Sequence, residues 1–182
     1  QKIAIIGEKL SIRRFAQLEA ADGMVVDYVH GGGRIGVLVQ AETTAEGEAV
    51  EEALKNLAMQ IAAMRPQYIC KDEISADELA KMRDITVDSA LNTPDTLPKP
   101  ILNKLIAQAL NGVWSAEDCA MFNEKKSNMN YVWNFMSEAA KPQLAALAVA
   151  AKEEIASDKI FKGLVDGRVA KQLKDICLMD QV

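Results

Sequence analysis

Three consecutive glycines at residues 31–33 separate two segments that are rich in strand-forming apolar residues. The segments read MVVDYVH before the glycines and RIGVLV after them. Glycine adopts the positive φ angles that a tight hairpin turn requires, so this feature predicts an antiparallel hairpin. We expect strands over residues 24–30 and 34–41, with His30, the only histidine, at the lip of the turn.

The flanking segments predict a third strand and a covering helix. Residues 9–19 place apolar side chains at period two, at Leu10, Ile12, Ala16 and Leu18, which predicts a first strand. The result would be a three-stranded antiparallel sheet whose apolar face needs a cover. Apolar residues at helical spacing over residues 50–62 predict that cover, and Pro66 should end the helix by moving Arg65 out of helical geometry.

Helical signals dominate beyond residue 71. The sequence therefore predicts an α+β core over residues 1–71, an all-helical hairpin or coiled-coil arm over 72–157, and a helix over 158–182 that returns to the core. Ser75 and Glu78 have the spacing of a capping box, and three of the five prolines break the chain over residues 92–100. The apolar seams are narrow and interrupted, which favours antiparallel hairpins over a long two-stranded coiled coil.

Charge and hydropathy restrict the classes of partner. The net charge is −5, and no segment collects lysines with aromatic residues between them, so we expect no direct nucleic-acid ligand. No apolar run approaches the roughly 20 residues that span a bilayer, and the first residues do not resemble a signal peptide. The expected compartment is the cytoplasm, without membrane attachment.

Catalytic and metal-binding signals are weak. The glycines join two strands instead of opening a helix, and the lysine and hydroxyl of a phosphate-binding loop are missing, so a hairpin turn is favoured over a nucleotide site. His30 has no acid, serine or cysteine motif beside it, which favours a packed or interface histidine over a catalytic one. Cys70, Cys119 and Cys177 are widely spaced and indicate neither a zinc site nor a disulfide framework. We expect no metal and no enzymatic activity.

The sequence contains four blocks in the order IIGEKLSIRRF, DYVHGGGRIGVLV, LAMQIAAMRPQYI and LVDGRVAKQLKDICLMDQ. Their order and spacing resemble the core of the translation elongation factor Ts family. The resemblance is close over residues 5–69 and good over 159–181. It is weak over residues 79–157, where the family carries a helical hairpin of variable length that serves dimer or partner contacts.

The resemblance implies nucleotide exchange on elongation factor Tu, the GTPase that delivers aminoacyl-tRNA, with no cofactor and no covalent chemistry by the factor itself. By motif, Ile6, Gly7, His30 and Gly31 match family positions that touch the GTPase. The family's N-terminal domain, its Thr-Asp-Phe-Val motif near the GTPase's magnesium site and its final strand do not occur in these 182 residues. We therefore expect a chain that docks on the GTPase but lacks the half that evicts nucleotide.

An alternative of another class is a structural or dimerisation module. In that case the helical arm would self-associate through Tyr131, Trp133 and Phe135, or through its leucine seam, into a homodimer. The helical spacing of these aromatic residues, together with Trp114, is equally compatible with burial inside the arm.

Overall fold

The computed structural model describes residues 5, 7–8, 11–129 and 131–181. Its fold is α+β, and the chain divides after Pro66 into two compact units. Among the described residues, the first unit contains a β-hairpin and the helix over residues 48–64, and the second unit is helical. No helix in the described part is long and apolar enough to cross a membrane.

The predicted hairpin is confirmed. Strand β1 spans Gly23–His30 and strand β2 spans Ile35–Glu42. They pair antiparallel, with His30 opposite Ile35 and Val26 opposite Val39. The three glycines of the loop have φ angles of 63°, 67° and 90°, the left-handed region that a residue with a Cβ rarely adopts. The turn therefore depends on the glycines for its backbone conformation.

The sheet has two strands, so the predicted three-stranded count is corrected for the described residues. Of the strand expected over residues 9–19, residues 11–19 have no regular secondary structure, and residues 9 and 10 lie outside the described residues. Ile12 is 90% exposed and Phe15 is 89% exposed. Period-two spacing stabilises a strand only when one face is buried against a neighbour, and in the described part of the chain these two side chains are exposed.

Helix α1, Glu48–Met64, covers one face of the hairpin as predicted. Ala58 and Ala62 are buried on the helix, and Val26 is buried on β1. The helix ends at Met64 because Arg65 adopts left-handed geometry before Pro66, and the Arg65 N–H donates to the carbonyl oxygen of Ile61. The opposite face of the hairpin leaves Val25, Val29 and Leu38 exposed.

The second unit contains six of the seven α-helices in the described residues. These are α2 (Ala76–Asn92), α3 (Lys99–Leu110), α4 (Ala116–Lys125), α5 (Ala140–Ala150), α6 (Lys152–Ser157) and α7 (Lys159–Ile176). The predicted capping box is confirmed at the start of α2, where the Glu78 N–H donates to Ser75 Oγ and the Ser75 N–H donates to the Glu78 carboxylate.

One core holds these helices together. Helix α2 packs on α5 and α7, and α3 packs on α5. Leu91, Leu144 and Phe161 are fully buried between them. A coiled-coil arm is not confirmed, because helices interrupted by prolines share a compact core instead of one sustained seam.

A short backbone ladder closes the second unit. Tyr68 and Cys177 form a parallel bridge, and the N–H groups of Leu178 and Met179 donate to the carbonyl oxygens of Tyr68 and Ile69. The beginning of the unit therefore lies beside the end of α7. The predicted return of residues 158–182 to the core concerns the relation between the two units and stays a prediction.

Candidate partner-binding site

The structure describes three of the four residues predicted to bind a partner, while Ile6 lies outside the described residues. Gly7 is exposed with φ +77°, and a Cβ placed on it would meet no atom within 4 Å. His30 ends β1, and Gly31 follows it as the first residue of the turn. His30 and Gly31 are thus adjacent where β1 enters the turn, a site called the hairpin lip below. A cavity lies beside the hairpin lip, and Gly7 does not line it.

Tyr28 orients the exposed ring of His30. The Tyr28 hydroxyl oxygen lies 3.0 Å from His30 Nδ1, and the two rings stack with their centroids 6.0 Å apart. The residues are two positions apart on one strand, so both side chains project from the same face of the hairpin. Because Nδ1 is engaged, Nε2 is the ring nitrogen that remains for a partner, as donor or acceptor according to the tautomer.

A cavity of about 300 Å³ lies beside this pair of rings. Strand residues Tyr28, His30 and Ile35 form one side. The end of α1 forms the other side with Met59, two alanines and Arg65, the alanines being Ala62 and Ala63. Alanine side chains are short, which leaves room between the helix and the hairpin lip.

Arg65 is the only non-glycine residue in the described part with a positive φ angle. Its φ of 51° and ψ of 52° place it in the left-handed region, which costs roughly 1–2 kcal/mol for a residue with a Cβ. No carboxylate lines the cavity, and no ion pair of Arg65 occurs among the described residues. The cavity therefore combines apolar walls with a rim of hydrogen-bond donors and one positive charge.

Sequence reasoning identified His30 but missed Tyr28 and Arg65. Tyr28 could have been found from its spacing, since a residue two positions before His30 shares its face of the strand. Arg65 gives no comparable signal, because its proximity to His30 arises from the packing of α1 on the hairpin.

The aromatic residues of the second unit separate into buried and exposed groups. Trp114 is buried, and its indole N–H donates to the carbonyl oxygen of Ala140 at 3.0 Å. Trp133 meets Trp114 edge to face with centroids 6.2 Å apart. Tyr131 is 59% exposed and Phe135 is 53% exposed. Trp114 is thus a core residue and Trp133 is a half-buried residue packed against the core, while the other two rings remain on the surface.

Metal-ligating and thiol groups are dispersed. No group of three or more histidine, cysteine, aspartate or glutamate side chains in the described residues is arranged to hold a metal ion. Cys177 is buried, and that burial raises the pKa of its thiol. Cys70 and Cys119 are partly exposed free thiols.

Comparison with known proteins supplies a family. The sequence profile described as "Elongation factor TS" matches residues 1–182. An elongation factor Ts of Clostridioides difficile (strain 630) is 44% identical over 105 residues, covering 58% of this chain and 34% of that protein. Another, from Clostridium botulinum (strain Alaska E43 / Type E3), is 36% identical over 148 residues, covering 81% of this chain and 48% of that protein.

The chain spans about half the length of these curated relatives or less. No solved structure shows a match. The match of the profile across all 182 residues means that this chain belongs to the elongation factor Ts family.

Proposed function

We propose that this chain docks on elongation factor Tu as part of a guanine-nucleotide exchange factor that promotes release of GDP. The docking residues in this proposal are Ile6, Gly7, His30 and Gly31. The observation that carries it is the exposed hairpin lip, where Tyr28 fixes the His30 ring beside a concave cavity. Family membership supports elongation factor Tu as the partner, and the proposed place of action is the cytoplasm, without a membrane or nucleic-acid ligand.

Exchange follows from a difference in affinity. A factor that bound the empty and the GDP-loaded GTPase equally would shift no equilibrium. The coupling is reciprocal, so a factor that lowers the GTPase's affinity for GDP is itself released when nucleotide returns. The proposed role therefore requires tighter binding of this chain to the nucleotide-free GTPase, and no bond is made or broken by the factor.

The proposal separates docking from eviction. The 182 residues contain no Thr-Asp-Phe-Val sequence, the family motif associated with the GTPase's magnesium site. The hairpin lip presents neutral and cationic groups that can hold a protein surface. We therefore propose that the chain alone docks on elongation factor Tu but accelerates release of GDP from it only weakly or not at all.

Two measurements on the same samples test both parts. Affinity for nucleotide-free elongation factor Tu is measured by biolayer interferometry, and release of fluorescently labelled GDP by stopped flow. His30→Ala should weaken binding, whereas Gln40→Ala, an exposed position on the opposite face of the hairpin, should leave binding unchanged. Absence of binding by the parent chain would refute docking. Release of GDP at the rate that a complete exchange factor produces would refute the proposal that the chain alone evicts nucleotide weakly or not at all.

The exposed rings of Tyr131 and Phe135 favour a second candidate function, self-association of the helical unit into a homodimer. Exposed aromatic side chains are enriched at protein interfaces. Sedimentation velocity over a hundredfold range of concentration tests this candidate, with Tyr131→Ser/Phe135→Ser as the matched variant. A monomer at every concentration removes it.

A further inference from the structure

We propose that the cavity beside His30 receives an acidic side chain of the GTPase and that Arg65 is its main contact. The proposal rests on the docking function above and adds the chemistry of the group that is recognised. Arg65 is not one of the contact residues predicted from the sequence, which are Ile6, Gly7, His30 and Gly31.

The charges of the cavity select a carboxylate. Its polar lining residues are Arg65, His30 and Tyr28, and no acidic side chain among the described residues lines it. A guanidinium binds a carboxylate through two parallel hydrogen bonds, a geometry that an ammonium cannot reproduce. An apolar occupant would cover the charge of Arg65 without pairing it, which is unfavourable.

The walls of the cavity strengthen such a contact. Met59, Ala62 and Ile35 are apolar, so an occupant displaces water from the surroundings of the ion pair. A cavity of about 300 Å³ exceeds the space needed for one aspartate or glutamate side chain. The partner can therefore place the carboxylate at the side chain of Arg65 together with part of its own backbone in the cavity.

The backbone of Arg65 supports a binding role. A helix commonly ends on a left-handed residue, and glycine is the usual choice because it has no Cβ. Here an arginine occupies that conformation, and Pro66 disfavours its return to helical geometry. The fold thus holds a long cationic side chain beside His30 at a position where the backbone alone favours glycine.

Arg34 provides a matched control. It lies in the exposed turn after the glycines, close to His30 along the chain, but it does not line the cavity. Neutralising either arginine removes one positive charge from the same small unit. Any effect of general charge on association appears in both variants, and only Arg65→Gln removes the contact inside the cavity.

Interferometry with nucleotide-free elongation factor Tu tests the inference. Arg65→Gln should weaken binding about tenfold, mainly through faster dissociation, and Arg65→Glu more, whereas Arg34→Gln should stay within about twofold. Arg65→Lys should recover only part of the affinity, because lysine lacks the planar fork. The dependence of affinity on salt should be shallower for Arg65→Gln than for the parent, which a loss of folding alone does not produce.

The outcomes separate this inference from the proposed function. If the parent binds and His30→Ala weakens binding while Arg65→Gln stays within about twofold of the parent, the carboxylate contact is refuted and docking stands. Equal weakening by Arg65→Gln and Arg34→Gln also refutes it, since general charge then suffices. If the parent does not bind, both fail. Amide hydrogen exchange over Glu48–Met64 confirms that each variant keeps its helix.

Discussion

Replacing Asp118 by asparagine should loosen the segment between α4 and α5. This carboxylate is 5% exposed and accepts three hydrogen bonds, two of which come from Ser137 in that segment. The N–H and the hydroxyl of Ser137 each donate to it at 2.7 Å, and the Ser115 hydroxyl donates at 3.2 Å. Asparagine keeps the size of the side chain but loses its charge. It also replaces one of the two acceptor oxygens by an NH2 donor, so the substitution removes both the charge and one acceptor of these contacts.

The magnitude follows from the number of donors. A hydrogen bond to a charged group contributes about 1 kcal/mol more than a neutral one, and the long bond from Ser115 contributes least. We expect Asp118→Asn to lower the free energy of unfolding of the second unit by about 2 kcal/mol. Ser137→Ala, which removes only one hydroxyl donor, should cost about 1 kcal/mol and serves as the graded control.

The pH dependence has a defined sign. The backbone N–H of Ser137, then its hydroxyl, hold the pKa of Asp118 below its ordinary value, against the opposing effect of burial. A carboxyl group whose pKa is lower in the folded state stabilises the fold above its unfolded pKa. That stabilisation is lost as the pH falls through the folded pKa. The stability gap between parent and Asp118→Asn should be constant from neutral pH to about pH 5 and should narrow at lower pH.

Urea unfolding followed by tryptophan fluorescence measures this gap. Both tryptophans, Trp114 and Trp133, belong to the second unit, so the signal reports that unit alone. With a urea slope of about 1.5 kcal/mol/M, the midpoint should fall by about 1.3 M. A shift below about 0.3 M, or a gap that does not change between pH 7 and about pH 3, would show that the charge of Asp118 does not hold the segment.

Three further substitutions test the backbone of the two units. Gly23→Ala places a Cβ 2.0 Å from the carbonyl oxygen of Ala41, so it should open the hairpin and raise amide hydrogen exchange across both strands. Gly36→Ala is the control, because a Cβ at that position meets no atom within 4 Å and should leave the exchange unchanged. Arg65→Gly should relieve about 1 kcal/mol of backbone strain and thereby slow amide hydrogen exchange in α1, while it weakens binding to the GTPase. Faster exchange in α1 would contradict the presence of backbone strain at Arg65. Ser75→Ala removes the capping box of α2 and should cost about 1 kcal/mol in the same urea assay, with no change if the cap is immaterial.

The parts of the fold that sequence predicts correctly depend on local conformation. The glycine turn, the end of α1 before Pro66 and the capping box of Ser75 each involve residues within a few positions of one another. Glycine, proline and a capping serine restrict or stabilise backbone geometry directly, so their effect does not depend on distant contacts.

The parts that sequence does not predict depend on distant residues. The strand expected over residues 9–19 has suitable spacing, but Ile12 and Phe15 are exposed. Asp118 reaches its main donor 19 positions away, and no motif marks that pair. His30 and Arg65 line the same cavity because α1 packs on the hairpin. The periodicity of apolar residues predicts that the helix covers the sheet, but it does not predict which residues meet.

The backbone ladder between residues 67–69 and 176–179 bears on whether the helical unit can be inserted into another protein. Its bridge places Tyr68 and Cys177 at the spacing of neighbouring strands, about 5 Å apart. A polypeptide segment whose two attachment points are so close can be inserted into a surface turn of another protein with little displacement of the host chain. The helical unit has its own buried core and closely spaced attachment points, which is the geometry of a domain that can be inserted into a host protein.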